Sequence, residues 1–202
     1  MIKHKIYLIL LLTLANSCSF ISYNQVIPLI KEATFGSADI ELSEEFILEQ
    51  SFSFARVDLG KGANIIMVLQ EINSNFYTWV SSTGEKMITY NGKIVRTEGL
   101  IYNIEIINPN DFKLLSLSGE SKGTFNLMLK NPQAFIEQEF YISNVEDTVD
   151  YLLFEEKVFT AILSAEQNNF YWLDKKLGRI VKTKQAVHPN LPKIRIDFVY
   201  KF

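Results

Sequence analysis

Short β-rich runs separated by tight turns are the feature that most constrains this chain. The clearest pair is MITY and KIVRT, which flank Asn91–Gly92. A two-residue Asn-Gly connection is the strongest short hairpin signal, because both turn positions take positive φ. FSFARVDL, IIMVLQEI and FYTWVSS precede it, divided by GKGAN and NSN. LIYNIEII, TFNLML, QEFYIS, DYLLFEEKVFTAIL, NNFYWL, GRIVKTKQAV and KIRIDFVYKF follow. Many short strands at close spacing predict an all-β fold, a mainly antiparallel sandwich or barrel-like sheet. The last strand alternates, with Ile194, Ile196, Phe198 and Tyr200 on the core side and Arg195, Asp197, Val199 and Lys201 on the other. The continuously apolar IIMVLQ reads as a central strand covered on both faces. Residues 111–123, ending in SGESKG, read as a long loop between two halves.

One or two short helices are expected before the strands. Val26, Leu29, Ile30 and Ala33 share a face at helical spacing within Gln25–Phe35. A second helix starts at Ser43, a good N-cap, with Glu44 and Glu45 suiting the positive end of its dipole.

The chain opens with MIKHK, then the apolar IYLILLLTL, then the small or polar Ala15, Asn16 and Ser17. This order describes a secretory signal peptide over residues 1–17, and its apolar run is too short for a spanning helix. The only cysteine, Cys18, follows directly. Cleavage after Ser17 would leave an ordinary secreted protein with an unpaired thiol in an oxidising compartment. The alternative is a lipidated Cys18, since the segment resembles the lipobox of bacterial lipoproteins, with Ala15 where that pattern has Leu. Residues 18–37 then form a lipidated tether and short helix, and residues 38–202 a β-rich periplasmic domain. Acyl chains on one cysteine hold a protein at a membrane when there is more than one of them. Ser19 after the cysteine resembles an outer-membrane address, on the periplasmic face.

Net charge is −3, and removal of Lys3 and Lys5 with the signal makes it more negative. With no basic run, nucleic acid is excluded as a partner. Histidines are confined to His4 and His188, and no second cysteine exists. That composition leaves no basis for a metal site, a Ser-His-Asp or Cys-His triad, or a cofactor motif. No catalytic residue is assigned. A carbohydrate-active enzyme would have to use paired carboxylates, from Glu155–Glu156, Glu137–Glu139 or Asp147–Asp150. His188, in AVHPNLP, reads as loop decoration. Two aromatic clusters, Phe76–Tyr77–Trp79 and Phe170–Tyr171–Trp172, put rings on both faces of their strands. They are either core and cross-strand pairs or exposed faces for sugar rings, which gives Tyr77, Trp79 and Trp172 as glycan-contact candidates.

Three blocks carry a family resemblance. They are FARVDLGKGANIIMVLQEI, YTWVSSTGEKMITYNGKIVRTEGL and NFYWLDKKLGRIVKTKQAVHPNLPKIRIDFVYK. In order and spacing they resemble the group 4 capsule polysaccharide lipoprotein family, the GfcB/YjbF type. Thr89, Asn91, Gly92, Ile94, Val95, Thr97 and Gly99 stand at the hairpin positions of that family, with Lys93 for its usual Arg. The middle third shows no family signature. The resemblance implies an all-β periplasmic domain on the outer membrane, acting in export or assembly of an extracellular or capsular polysaccharide. Implied partners are the polysaccharide itself and other envelope proteins of its secretion. A purely structural envelope lipoprotein is the remaining alternative.

Overall fold

Asn91 and Gly92 both adopt positive φ, +49° and +80°, and join Lys86–Tyr90 (β4) to Lys93–Glu98 (β5). The same local logic repeats along the chain in this computed structural model, which describes residues 42–60, 64–109, 120–160 and 165–202. The other strands are Phe54–Asp58 (β1), Asn64–Asn73 (β2), Phe76–Ser81 (β3), Ile104–Ile107 (β6), Glu120–Lys130 (β7), Gln133–Asp147 (β8), Tyr151–Thr160 (β9), Ala165–Asp174 (β10), Arg179–Gln185 (β11) and Ile194–Val199 (β12). Each pairs antiparallel with the next, and β1 pairs with β12 through Phe54↔Val199 to Asp58↔Arg195. The sheet is therefore a closed barrel with no free edge. Of the two expected sheet architectures, the barrel forms.

One helix precedes the barrel among the described residues, Glu44–Glu49 (α1). Its cap is the expected Ser43, whose Oγ accepts from the Phe46 amide at 3.1 Å. Phe46 meets Phe54 edge to face at 5.6 Å and so covers the start of β1 from outside. The expected helix at Gln25–Phe35 and the tether before it lie outside the described residues.

The lumen is packed. Val57, Met67, Trp79, Met87, Leu127, Phe140, Val158, Tyr171, Ile196 and Phe198 belong to one buried cluster. The outer wall carries charge, in pairs such as Arg56–Asp197 at 2.7 Å and Arg195–Asp58 at 2.6 Å. That is the reverse of a lipid-embedded barrel, which is apolar outside and polar within.

A round barrel of eight strands is just filled by its own side chains. Twelve would leave a channel unless opposite walls approached. They do. Strands β5 and β11 stand diametrically opposed, with five strands between them in either direction. Even so, the Ile94 amide donates to Gln185 Oε1 at 2.9 Å, and Gln185 Nε2 donates to the Gly92 carbonyl at 2.8 Å. A Cβ on Gly92 would lie 2.6 Å from Ile180 Cγ2. The barrel is thus pinched at this line. Lys93 crosses the same gap to Glu156 on β9 at 2.5 Å.

Two expectations are corrected. The IIMVLQ run is not covered on both faces, because Val68 is 37 % exposed on the outer wall of β2 while Met67 points into the lumen. An apolar run on a barrel wall has one wet face like any other. Of the loop expected over residues 111–123, residues 111–119 lie outside the described residues, and Glu120–Gly123 is not loop but the start of β7, paired with Phe140–Ser143 of β8. Gly123 leaves room for the Phe140 ring, which a Cβ there would meet at 2.9 Å.

Gly92→Ala is expected to destabilise the barrel by about 3 kcal/mol, from the positive φ together with overpacking against Ile180. Gly84 also has positive φ, +94°, but has open space around it, so Gly84→Ala should cost only about 1 kcal/mol. Urea-unfolding midpoints of the two variants check this, and equal losses would refute the pinch at Gly92.

Candidate functional site

One end of the barrel carries a cleft of about 360 Å³. Three turns and the last strand build it. The β2–β3 turn contributes Ser74 and Asn75, the β4–β5 turn Asn91 and Gly92, and the β10–β11 connection Gly178, with Arg179 at the start of β11. Tyr200 and Phe202 follow β12 into the same space. The Asn91 amide donates to the Asn75 carbonyl at 3.4 Å, which ties the first two turns together. The third is shaped by Asp174, whose Oδ1 accepts from the Lys176 and Leu177 amides, both at 2.8 Å.

Aromatic rings make the wall. Tyr77 points inward from β3 near the mouth, half-buried. Its ring stands 6.0 Å from Tyr200, edge to face, and 6.4 Å from Phe202. Beneath it lies Trp79 at 6.2 Å, then Phe198 at 5.1 Å from Trp79, so a ladder of rings runs from the core to the opening. Tyr200 donates its hydroxyl to the Ile180 carbonyl at 2.9 Å, and burial holds its pKa far above the ordinary tyrosine value. Phe202 remains 59 % exposed. The Arg179 guanidinium lies 4.3 Å over the Phe202 ring and 5.5 Å over Tyr200. Among the described residues no Asp or Glu side chain lines this cleft.

The three aromatic residues singled out from the sequence do not converge. Tyr77 lines the cleft. Trp79 is wholly buried below it and donates its indole N–H to Thr89 Oγ1 at 3.0 Å. Trp172 is on the outer wall of β10, beside Phe170 at 6.3 Å and under Lys182 at 5.5 Å. Arg179, Tyr200 and Phe202 escape sequence reasoning, because only barrel closure brings the end of β12 next to β3. The one available signal is the i, i+2 aromatic spacing of Phe198–Tyr200–Phe202, which repeats that of Tyr77–Trp79. Cys18 lies outside the described residues.

The carboxylate pairs separate as well. Glu155 faces outward and accepts from Asn168 Nδ2 at 2.9 Å, whereas its neighbour Glu156 is fully buried in the lumen. Glu156 pairs with Lys93 and accepts from Asn169 at 2.8 Å and Tyr171 at 2.7 Å. Burial lowers the Lys93 pKa, opposed by the charge of Glu156. Burial also raises the Tyr171 pKa well above its usual value, and the carboxylate acts in the same direction. Glu137 and Glu139 are exposed on the outside of β8. Asp147 pairs with Lys175 at 2.5 Å and Asp150 with Lys176 at 3.7 Å. No two of these acids share a cleft. His188, expected as loop decoration, is buried in its loop, stacked on Tyr102 at 4.7 Å, with Nδ1 accepting from the Asn190 amide at 3.0 Å. Burial lowers its pKa, and the Asn131 backbone opposes that shift.

The family model for the group 4 capsule polysaccharide lipoprotein gfcB, YjbF, matches residues 29–199. The chain belongs to this family. Membership makes it a capsule-related lipoprotein. It is 20 % identical over 192 residues to the lipoprotein GfcB of Escherichia coli strain K12, covering 88 % of this chain and 90 % of that one. The crystal structure of the lipoprotein YmcC from Escherichia coli K12 has the same fold, with a TM-score of 0.70 at 17 % identity, covering 88 % of this chain and 95 % of that one.

The buried pair gives a separate test of the interior. Lys93→Met should cost about 3–5 kcal/mol, since it leaves the Glu156 carboxylate in the lumen without its cation. Adding Glu156→Gln should recover part of the loss, as the amide oxygen still accepts from Asn169 and Tyr171. Urea unfolding at neutral pH measures both. A double variant no more stable than the single one would contradict the uncompensated-charge account.

Proposed function

We propose that acyl chains on Cys18 hold this protein at the periplasmic face of the outer membrane, where its barrel-end cleft grips a segment of surface polysaccharide during export or assembly. It acts by contact, as an accessory factor beside other envelope proteins of the same process. The observation that carries the reading is the cleft itself. It offers the rings of Tyr77, Tyr200 and Phe202 to the apolar faces of sugars, and Ser74, Asn75 and Asn91 to their hydroxyls. Sites that combine ring faces with a few convergent polar groups suit ligands of this mixed character. Family membership supports the polysaccharide, and the order of charges, apolar run and cysteine at the N-terminus supports the anchor.

Complementation of a deletion strain tests it, with surface polysaccharide as the readout. The deletion should lose its coat. Wild type and Trp172→Ala should restore it, because Trp172 lies away from the cleft. Cys18→Ser should not, and neither should Tyr77→Ala combined with Phe202→Ala, provided that variant melts like wild type. A full coat from the double cleft variant would overturn the role of the cleft, and a full coat from Cys18→Ser would overturn the anchor.

A further inference from the structure

The described residues contain four arginines, and three are ion-paired. Arg56 pairs with Asp197, Arg96 with Glu98 and Glu105, and Arg195 with Asp58. Arg179 has no carboxylate partner among the described residues, although Asp174 faces it across the β10–β11 pair. The acids that meet the β10–β11 connection are engaged elsewhere. Asp174 caps the amides of its own turn, Asp147 holds Lys175, and Asp150 lies against Lys176. Arg179 instead stacks on Phe202 and Tyr200 and is the one charged residue lining the cleft. Stacking fixes the guanidinium plane while leaving its edge N–H groups to donate. That is how arginine presents a two-toothed fork to an oxyanion. A cleft whose described lining has one cationic side chain and no Asp or Glu side chain is complementary to a ligand carrying negative charge.

We infer that the glycan taken by this cleft is acidic, with a sugar carboxylate on the Arg179 guanidinium and the adjoining ring face against Tyr77 and Phe202. The inference rests on the glycan-binding reading above and narrows its substrate class. The rings set the orientation, and the guanidinium selects the anion. Because the cleft opens to solvent, the charged contact is screened by salt, and affinity should fall as ionic strength rises.

The test is calorimetric titration of the folded protein with three probes. They are an oligogalacturonate, its methyl ester, which keeps the rings and removes the charge, and vesicles containing phosphatidylglycerol. The acid is expected to bind about tenfold or more tightly than the ester. Arg179→Gln, checked for a wild-type melting temperature, should bind acid and ester alike. Arg179→Lys should retain part of the preference, since it keeps the charge and loses the fork. Equal binding of acid and ester would overturn the acidic-sugar inference and leave the glycan reading standing. Binding of neither would overturn both. Arg179-dependent binding to the vesicles without binding to the oligogalacturonate would assign the cation to lipid headgroups and also overturn the inference.

Discussion

Contact between opposite walls of the barrel is the constraint on which the rest of this structure depends. Twelve strands enclose more space than their own inward side chains fill in a round section. An open lumen would leave Trp79, Phe140, Tyr171 and Ile196 with solvent or void on one side and forfeit their dispersion contacts. The β4–β5 turn removes the gap by descending onto β11, where Gly92 meets Ile180. Gln185 then bridges the walls by accepting from the Ile94 amide and donating to the Gly92 carbonyl. The Lys93–Glu156 pair bridges them one strand pair further round. Taking two charges out of water is expensive, and such pairs often add little net stability. This one is fully furnished with hydrogen bonds from Asn169 and Tyr171, so it fixes where β5 sits against β9 and β10.

The same pinch makes the cleft. Gly92 and Ile180, which touch across the lumen, also lie in its lining, so the cleft is a hollow above a sealed barrel and not the mouth of a channel. A ligand there meets a closed floor and walls of tilted and edge-to-face rings. Such a site can grip and orient a polymer, and the sequence offers little beyond gripping. Among the described residues Glu156 is the one carboxylate deep in the lumen and is tied to a lysine, and the acids named from the sequence lie apart from the cleft.

Much of the strand order is legible in the sequence because each hairpin is a local event. The Asn91–Gly92 turn takes positive φ at two adjacent positions, and Asn-Gly is among the few residue pairs that satisfy that cheaply. Alternation in Ile194–Tyr200 assigns its faces directly, since one side is core and the other wet. Three features are not legible, and each for a non-local reason. Closure pairs β1 with β12 across the length of the domain, and nothing in either strand alone announces the partner. The apolar run of β2 resembles a doubly covered strand because periodicity reports hydrophobicity and not which faces find cover. Arg179 and Phe202 become site residues only once closure lays the end of the chain beside Tyr77. Trp79 and Trp172 show the converse, as two tryptophans in similar local sequences are sent to a buried ladder and an outer wall by their places in the register.

The most direct test of the account is aromatic-region NMR of the folded domain, titrated with surface polysaccharide purified from the same strain. The expected result is perturbation of the Tyr77, Tyr200 and Phe202 ring signals, a smaller response from Trp79 beneath them, and none from Trp172. Perturbation confined to Trp172 and the outer wall, or no perturbation at saturating polymer, would contradict a cleft built by the pinched barrel as the place where this protein meets its glycan.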